Sequence, residues 1–380
     1  MNPWLRRSIA LVVALVASRL VAPWWCGRHA EGWYQGDPDL QRALAEEMVA
    51  FEEEDDRSAS KTAPGNRFAG EWALVTHQMT AIGLAQLCLA RSAWCPRYAP
   101  VATRAAAKTL LPEMRDFGTR AWRGEDALAS LASDHGHAYL AYSTLAVGMA
   151  RLVDPELPAA LAAQHDALVA AYERRLLAAP MGLIETYPGE AYPTDVAAVA
   201  AAIAVHGRAT GRDHQAVLAH WAERVRAVQI DRASGLVIQR MGSLDGQPHD
   251  APRGSGTALA AYFAGFADRK LAAELARGLF RHEATFWGFG AIQEYAPGHQ
   301  GAGDVDSGPV LLGVSVSATG FALAPARAFG MEEPFERLYR TAALFGVPIR
   351  KTSRLRFATG GAIGNALLLA LMTSGPELAP

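Results

Sequence analysis

The chain has 380 residues, enough to bury one large core or two ordinary ones. Its 36 Lys+Arg nearly balance its 38 Asp+Glu, a formal charge of -2, which excludes the basic stripe of a nucleic-acid groove. Hydrophobic residues at 51% against charged residues at 19% exclude a disordered chain.

The N-terminal stretch MNPWLRRSIALVVALVAS sets Arg6 and Arg7 before a short apolar run. A basic flank followed by a short hydrophobic region is the layout of an export signal. After Arg19 the run resumes as LVAPWW, so residues 8–25 also read as a membrane anchor with Trp24 and Trp25 at the interface. The expectation is therefore an export signal or anchor over residues 1–25, a linker over 26–37 and one domain over 38–376, outside the cytoplasm. The cysteines, Cys26, Cys88 and Cys95, are odd in number and do not read as a disulfide framework. There is no CxxC, HExxH or GxxxxGK[ST], and neither a metal nor a cofactor is expected.

Beyond residue 37, helical periodicity recurs at about 38–53, 71–92, 97–115, 132–151, 156–178, 190–209, 213–229, 254–268, 270–285, 308–328, 333–346 and 361–374. Two classes alternate. QAVLAHWAERVRAV is amphipathic, whereas DVAAVAAAIAVHG and GNALLLALMTSG are apolar nearly all round. The second class belongs inside and the first outside. The links alternate too. Those that leave the apolar helices are short, as in GMEE; those that enter them are long. Six long links on one end, each leading to a buried helix, predict an all-α (α/α)6 toroid of about twelve antiparallel helices in inner and outer rings. An open solenoid is the rival.

The long links carry the ionisable and aromatic residues. The first leads into Glu71, Trp72 and His77, with Trp72 expected to wall the cavity. The second ends SDHGHAYLAY, where His137 is a candidate acid/base. The third, ETYPGEAYPTD, holds Glu185, Tyr187, Tyr192 and Asp195. Asp195 falls in the first turn of a helix, where a carboxylate also serves the dipole. The fourth ends with His249, Asp250 and Arg253, the last suited to an anionic or hydroxylated ligand. The fifth holds Glu294, His299, Asp304 and Asp306 among glycines. Its partial likeness to a calcium loop fails, because Gly308 and Ser315 stand where ligands are needed. Catalysis is assigned to His137, Glu185, Asp195, Asp304 and Asp306. Substrate binding is assigned to Trp72, Tyr187, Tyr192, His249, Arg253 and Glu294.

In order, these features resemble the linalool dehydratase/isomerase family over roughly residues 40–375. The local echoes are GHAYLAYSTLAVGMARL, GLIETYPGEAYPTDVAAVAAAIAVHGRATGRDH and DRASGLVIQR. The resemblance implies an (α/α)6 toroid, export, and cofactor-free addition or removal of water at allylic alcohols. It matches the family's catalytic histidine to His137. Where the family has two catalytic cysteines this chain carries Glu185 and Thr194, so the scaffold carries over and the family's chemistry does not follow.

Three functions are open at this point. The first is a cofactor-independent acid/base lyase or isomerase, hydratase-like, acting on a small hydroxylated or unsaturated substrate. The second is a carbohydrate-active enzyme using paired carboxylates. The third is a non-catalytic scaffold anchored in the membrane. The partners expected are a small-molecule substrate, a membrane through residues 8–25 and a second copy of the chain as a homo-oligomer.

Overall fold

The computed structural model describes residues 2–54, 69–303 and 307–375. It begins with helix α1 (Pro3–Gly27), whose first turn is capped by the Asn2 side chain accepting from Trp4 N at 3.1 Å. Its large apolar side chains from Trp4 to Val21 are exposed. By length and composition it can cross a membrane; the other helix that meets this test, Gly70–Ala90, is mostly buried inside the protein.

The segment expected as a linker is instead folded. Helix α2 (Ala30–Gln35) buries Trp33 completely and ends at Gly36, whose φ of 77° suits a residue without a β-carbon. The Arg327 guanidinium donates to the Trp33 and Tyr34 carbonyls, and Arg91 donates to the Gly36 carbonyl at 2.6 Å. Residues 30–36 are thus bonded into the domain.

Six helical pairs follow. Helix α3 (Pro38–Glu53) starts at Asp37, whose carboxylate accepts from Asp39 N and Leu40 N, a cap worth about 1 kcal/mol. It leads to α4 (Ala69–Ala90). Helix α5 (Cys95–Lys108) leads through the short α6 (Pro112–Ala121) to α7 (Ala141–Val153). Then come α8 (Ala159–Ala178) with α9 (Pro193–Thr210), and α10 (Gln215–Arg224) with α11 (Gly254–Ala267). Helix α12 (Arg269–Phe280) precedes the split pair α13 (Val316–Phe321) and α14 (Leu323–Ala328). Last are α15 (Glu332–Gly346) and α16 (Gly361–Met372).

The second members form the inner ring. α4 packs on α7, α7 on α9, α9 on α11, α11 on α13, α13 on α16, and α16 back on α4. Closure makes this the expected (α/α)6 toroid rather than a solenoid. Small residues let the inner helices approach closely: α9 buries Ala197, Ala198, Ala200, Ala201 and Ala202 between its neighbours. Polar bonds tie the ring across its seam. Gln86 of α4 donates to the Tyr262 hydroxyl of α11 at 2.8 Å, and Thr373 donates to Gln86 Oε1 at 2.7 Å. Cys88 and Cys95 are free thiols, with Cys95 Sγ donating to the Cys88 carbonyl.

Two expected helices differ for local reasons. The stretch 132–151 becomes α-helical only at Ala141, because Gly136 and His137 are both left-handed (φ 72° and 59°). The stretch 308–328 gives its first third to strands.

The long links hold small antiparallel sheets. β1 (Glu185–Tyr187) pairs with β2 (Glu190–Ala191). β3 (Glu283–Phe286), β4 (Phe289–Gln293), β5 (Val310–Leu311) and β6 (Val314–Ser315) form one sheet in the order β3-β4-β6-β5. β7 (Pro348–Lys351) pairs with β8 (Arg354–Phe357). The β3–β4 turn is Trp287–Gly288, with φ of 49° and 82°.

Candidate active site

All six inner helices contribute to a cavity of about 960 Å³ at the ring's centre. From α4 come Glu71, Trp72, Val75, Gln78 and Met79. Their i, i+1, i+4, i+7, i+8 spacing is one helical face. The opposite wall is alkyl and phenyl: Leu259 and Phe263 of α11, Phe321 of α13, Ile363 and Leu367 of α16. The polar wall is built by the third long link with α7 and α9.

That link is shaped by its own sequence. Gly189 takes a φ of 78° to turn β1 into β2. The Glu185 carboxylate fastens the turn, accepting from Gly189 N at 3.1 Å and from Ser243 Oγ at 2.9 Å. Pro193 then opens α9 at a position where no amide proton is needed. Thr186, Tyr187, Tyr192 and Asp195 are thereby set on the cavity wall.

Asp195 is held by two neutral hydroxyls. Tyr142 donates to its Oδ1 and Thr186 to its Oδ2, each at 2.5 Å. Burial raises the pKa of this carboxyl, and the two hydroxyl donors offset only part of that rise. Three further carboxylates line the cavity. Glu71 accepts from the Tyr187 hydroxyl at 3.2 Å. Glu190 accepts from the Tyr192 hydroxyl at 2.8 Å and from Arg240 at 3.1 Å. Asp250 accepts from Arg253 at 2.6 Å. Two of the four are thus tied to an arginine, whereas Asp195 is bound by uncharged donors.

Of the residues assigned from sequence, Trp72, Tyr187, Tyr192 and Asp195 line the cavity. Five others do not, and His137 is the main correction. Its left-handed backbone turns the ring into the wall, where it is fully buried and stacks on Trp122 with centroids 4.4 Å apart. Burial pushes its pKa down to about 4, against the opposing pull of Glu125, whose Oε1 lies 3.7 Å from Nε2. Glu185 holds the turn described above. His249 is exposed outside the lining. Glu294 is buried behind α11, where it accepts from Ser255 Oγ at 2.6 Å and Ser255 N at 3.3 Å; burial raises its pKa too. Its position is that of a cap, one bond removed from the cavity through Ser255. Arg253 is buried over the Tyr295 ring, outside the lining, and donates to the lining Asp250. Asp304 and Asp306 lie outside the described residues.

Sequence reasoning missed Tyr142 and undervalued Glu71. Both had a signal: each is a polar residue in the first turn of an inner helix that is otherwise mostly apolar.

Among the described residues, one group has the composition of a metal site. His165, Asp166 and His206 cluster at the opposite end of the toroid, by the short links. A cation already stands there: Arg151 Nη1 lies 2.5 Å from Asp166 Oδ1 and 3.4 Å from His165 Nδ1. The network continues from Asp166 to His206, His214 and Glu173. It is a half-buried hydrogen-bond chain that ends on the Arg151–Asp166 ion pair.

No family model matches the chain, and no curated protein matches it. The family read from the sequence therefore finds no match of its own, although the closed toroid it implied is present. Among solved structures, the chain is similar to a family 76 glycoside hydrolase from a bovine Bacteroides thetaiotaomicron strain. The identity is 12%, over 78% of this chain and 68% of that one, with a TM-score of 0.43.

Proposed function

We propose that the cavity is the active site of an acid/base enzyme acting on a hydroxylated, carbohydrate-type substrate, with Asp195 as the proton donor. The observation that carries this reading is the Asp195 carboxyl: raised in pKa, facing the cavity, and oriented by Tyr142 and Thr186. A carboxyl kept protonated nearer neutral pH can protonate the oxygen that leaves a C–O bond. Glu71, steadied by Tyr187, is the carboxylate partner that activates water or meets the developing positive charge. Trp72 and Tyr192 offer ring faces for a sugar, and the Glu190–Arg240 and Asp250–Arg253 pairs offer donors and acceptors for its hydroxyls.

A second reading keeps the same acid. The alkyl and phenyl wall of Leu259, Phe263, Phe321, Ile363 and Leu367 favours an apolar alcohol that loses water. Asp195 then protonates the departing hydroxyl, and Glu71 takes the carbon-bound proton as the alkene forms.

The test is a panel of glycosides and of allylic alcohols assayed with the wild type, Asp195→Asn and Glu71→Gln. Loss of a proton donor should cost roughly 10²- to 10⁴-fold in turnover. The Asp195→Asn thermal midpoint should hold or rise at pH 8, because a buried carboxylate is removed. Turnover of glycosides alone supports the first reading, and of alcohols alone the second. Full activity in Asp195→Asn would reject both.

A further inference from the structure

We propose that the Phe286–Trp287 tip of the β3–β4 hairpin is an interfacial membrane anchor, seating the toroid on the lipid bilayer that holds α1. Three observations converge on this tip.

The first is backbone chemistry. Phe286 pairs with Phe289, which leaves a two-residue turn, Trp287–Gly288, with both residues left-handed. That turn favours Asn, Asp or Gly at its first position, and a bulky residue there is strained. Trp287 nonetheless stands there with 41% of its surface exposed, and Phe286 with 68%. The two rings stack on each other with centroids 4.7 Å apart and planes 17° apart. Folding gains little from an exposed aromatic on a strained turn. An aqueous interface with hydrocarbon gives both rings a place, since Trp favours the headgroup level.

The second is position. A β-carbon placed on Gly288 would lie 3.4 Å from Pro23 Cβ, so the tip touches α1 near its C-terminal end. Arg340 joins the two. Its Nη1 donates to the Gly288 carbonyl at 3.0 Å, and its side chain lies against Gly27. The neighbouring α1 residues Trp24 and Trp25 are 68% and 57% exposed, and Arg28 lies over the Trp25 ring at 4.2 Å. Four exposed aromatics therefore gather at one level, where the apolar helix meets the domain.

The third is the helix itself. At 25 residues, α1 is about 37 Å long, enough for a hydrocarbon core of about 30 Å. Its large apolar side chains from Trp4 to Val21 are all exposed. Arg19 lies about one and a half turns from Trp24 and Trp25, within snorkelling reach of the interface.

The test uses the full chain reconstituted in phosphatidylcholine–phosphatidylglycerol vesicles, with and without lipids brominated at shallow acyl positions. The emission of Trp287 is obtained as the wild type minus Trp287→Phe, and that of Trp25 in the same way from Trp25→Phe. The expected result is a blue-shifted Trp287 emission that brominated lipid quenches as strongly as it quenches Trp25. Red-shifted, unquenched emission from Trp287 would overturn the proposal. So would emission shielded from an aqueous quencher yet untouched by brominated lipid, which would mark a protein–protein contact. A second variant separates anchoring from folding. Trp287→Asn suits the turn and should keep or raise the thermal midpoint in detergent. A clear drop would show that the ring serves the fold, and would also overturn the proposal.

Discussion

His137 gives the structure a measurable acid weakness. Its ring is fully buried, and its pKa falls from an ordinary value near 6.5 to about 4. Glu125 favours the charged ring, but that carboxylate is 3.7 Å away and 40% exposed, so burial wins. The unfolded chain binds this proton near pH 6.5 while the folded chain does not until about pH 4. Stability from this residue is therefore complete above pH 6.5 and is lost as the pH falls toward 4. The loss amounts to roughly 3 kcal/mol, with a slope of at most about 1.4 kcal/mol per pH unit. His165, which burial lowers to about 3, adds a loss of similar size over the same range and beyond it. Together these losses approach the whole stability of an ordinary domain, about 5–15 kcal/mol. The perturbation is His137→Asn, because Asn cannot take up a proton here and tolerates the left-handed backbone. The assay is chemical denaturation from pH 7.5 to pH 4 in steps. The variant loses packing on Trp122 at every pH, so the slope and not the level is the readout. The wild type should fall more steeply than the variant between pH 6.5 and 4. Parallel curves would refute the reasoning.

Three other outcomes follow from the far end and the entry segment. Arg151→Ala removes the cation from the His165–Asp166–His206 cluster, so this variant, and not the wild type, should gain thermal stability from zinc. The gain should reach about 2.7 kcal/mol at a hundredfold excess over the dissociation constant, and calorimetry with and without a chelator checks it. Removing residues 1–21 should leave the unfolding of the domain unchanged in circular dichroism, because those side chains make no part of its core. Removing residues 1–37 should cost at least about 3 kcal/mol, since it empties the Trp33 site and takes from Arg91 and Arg327 their carbonyl partners at Gly36, Trp33 and Tyr34.

Much of the architecture was legible because it rests on side-chain periodicity. Apolar helices such as α9 and α16 can be stable only inside, and the alternation of link lengths set their direction. The α13–α14 break escaped a reading by apolar spacing, which runs on through Ala322; its signals are Gly320 and Pro325, the latter with no N–H for the Phe321 carbonyl. The site was legible in part. Asp195 follows Pro193 and Tyr192 in a pattern that fixes its place at a helix start. His137 misled because the same GH pair that suggested a helix start is left-handed. A one-residue change of backbone region turns a ring from the cavity into the wall, and no spacing rule reports it. Glu71 and Tyr142 bond to partners more than fifty positions away along the chain. Such pairings exist only once the ring has closed.

That closure has a consequence for how the molecule is made. The seam joins α4 to α16, and its side-chain bond from Thr373 to Gln86 spans 287 positions. A ribosome adding roughly 5–20 residues per second needs about 15 to 60 seconds to deliver the second partner after the first. Throughout that interval the growing chain carries the apolar flank of α4 with nothing to cover it. Such a chain is exposed to aggregation, and its slowest folding step should be the docking of the last inner helix, because distant pairings must close the longest loop. Changes confined to α16, even conservative ones such as Leu369→Met, should therefore lower the yield of native protein more than they lower the stability of the molecules that do fold.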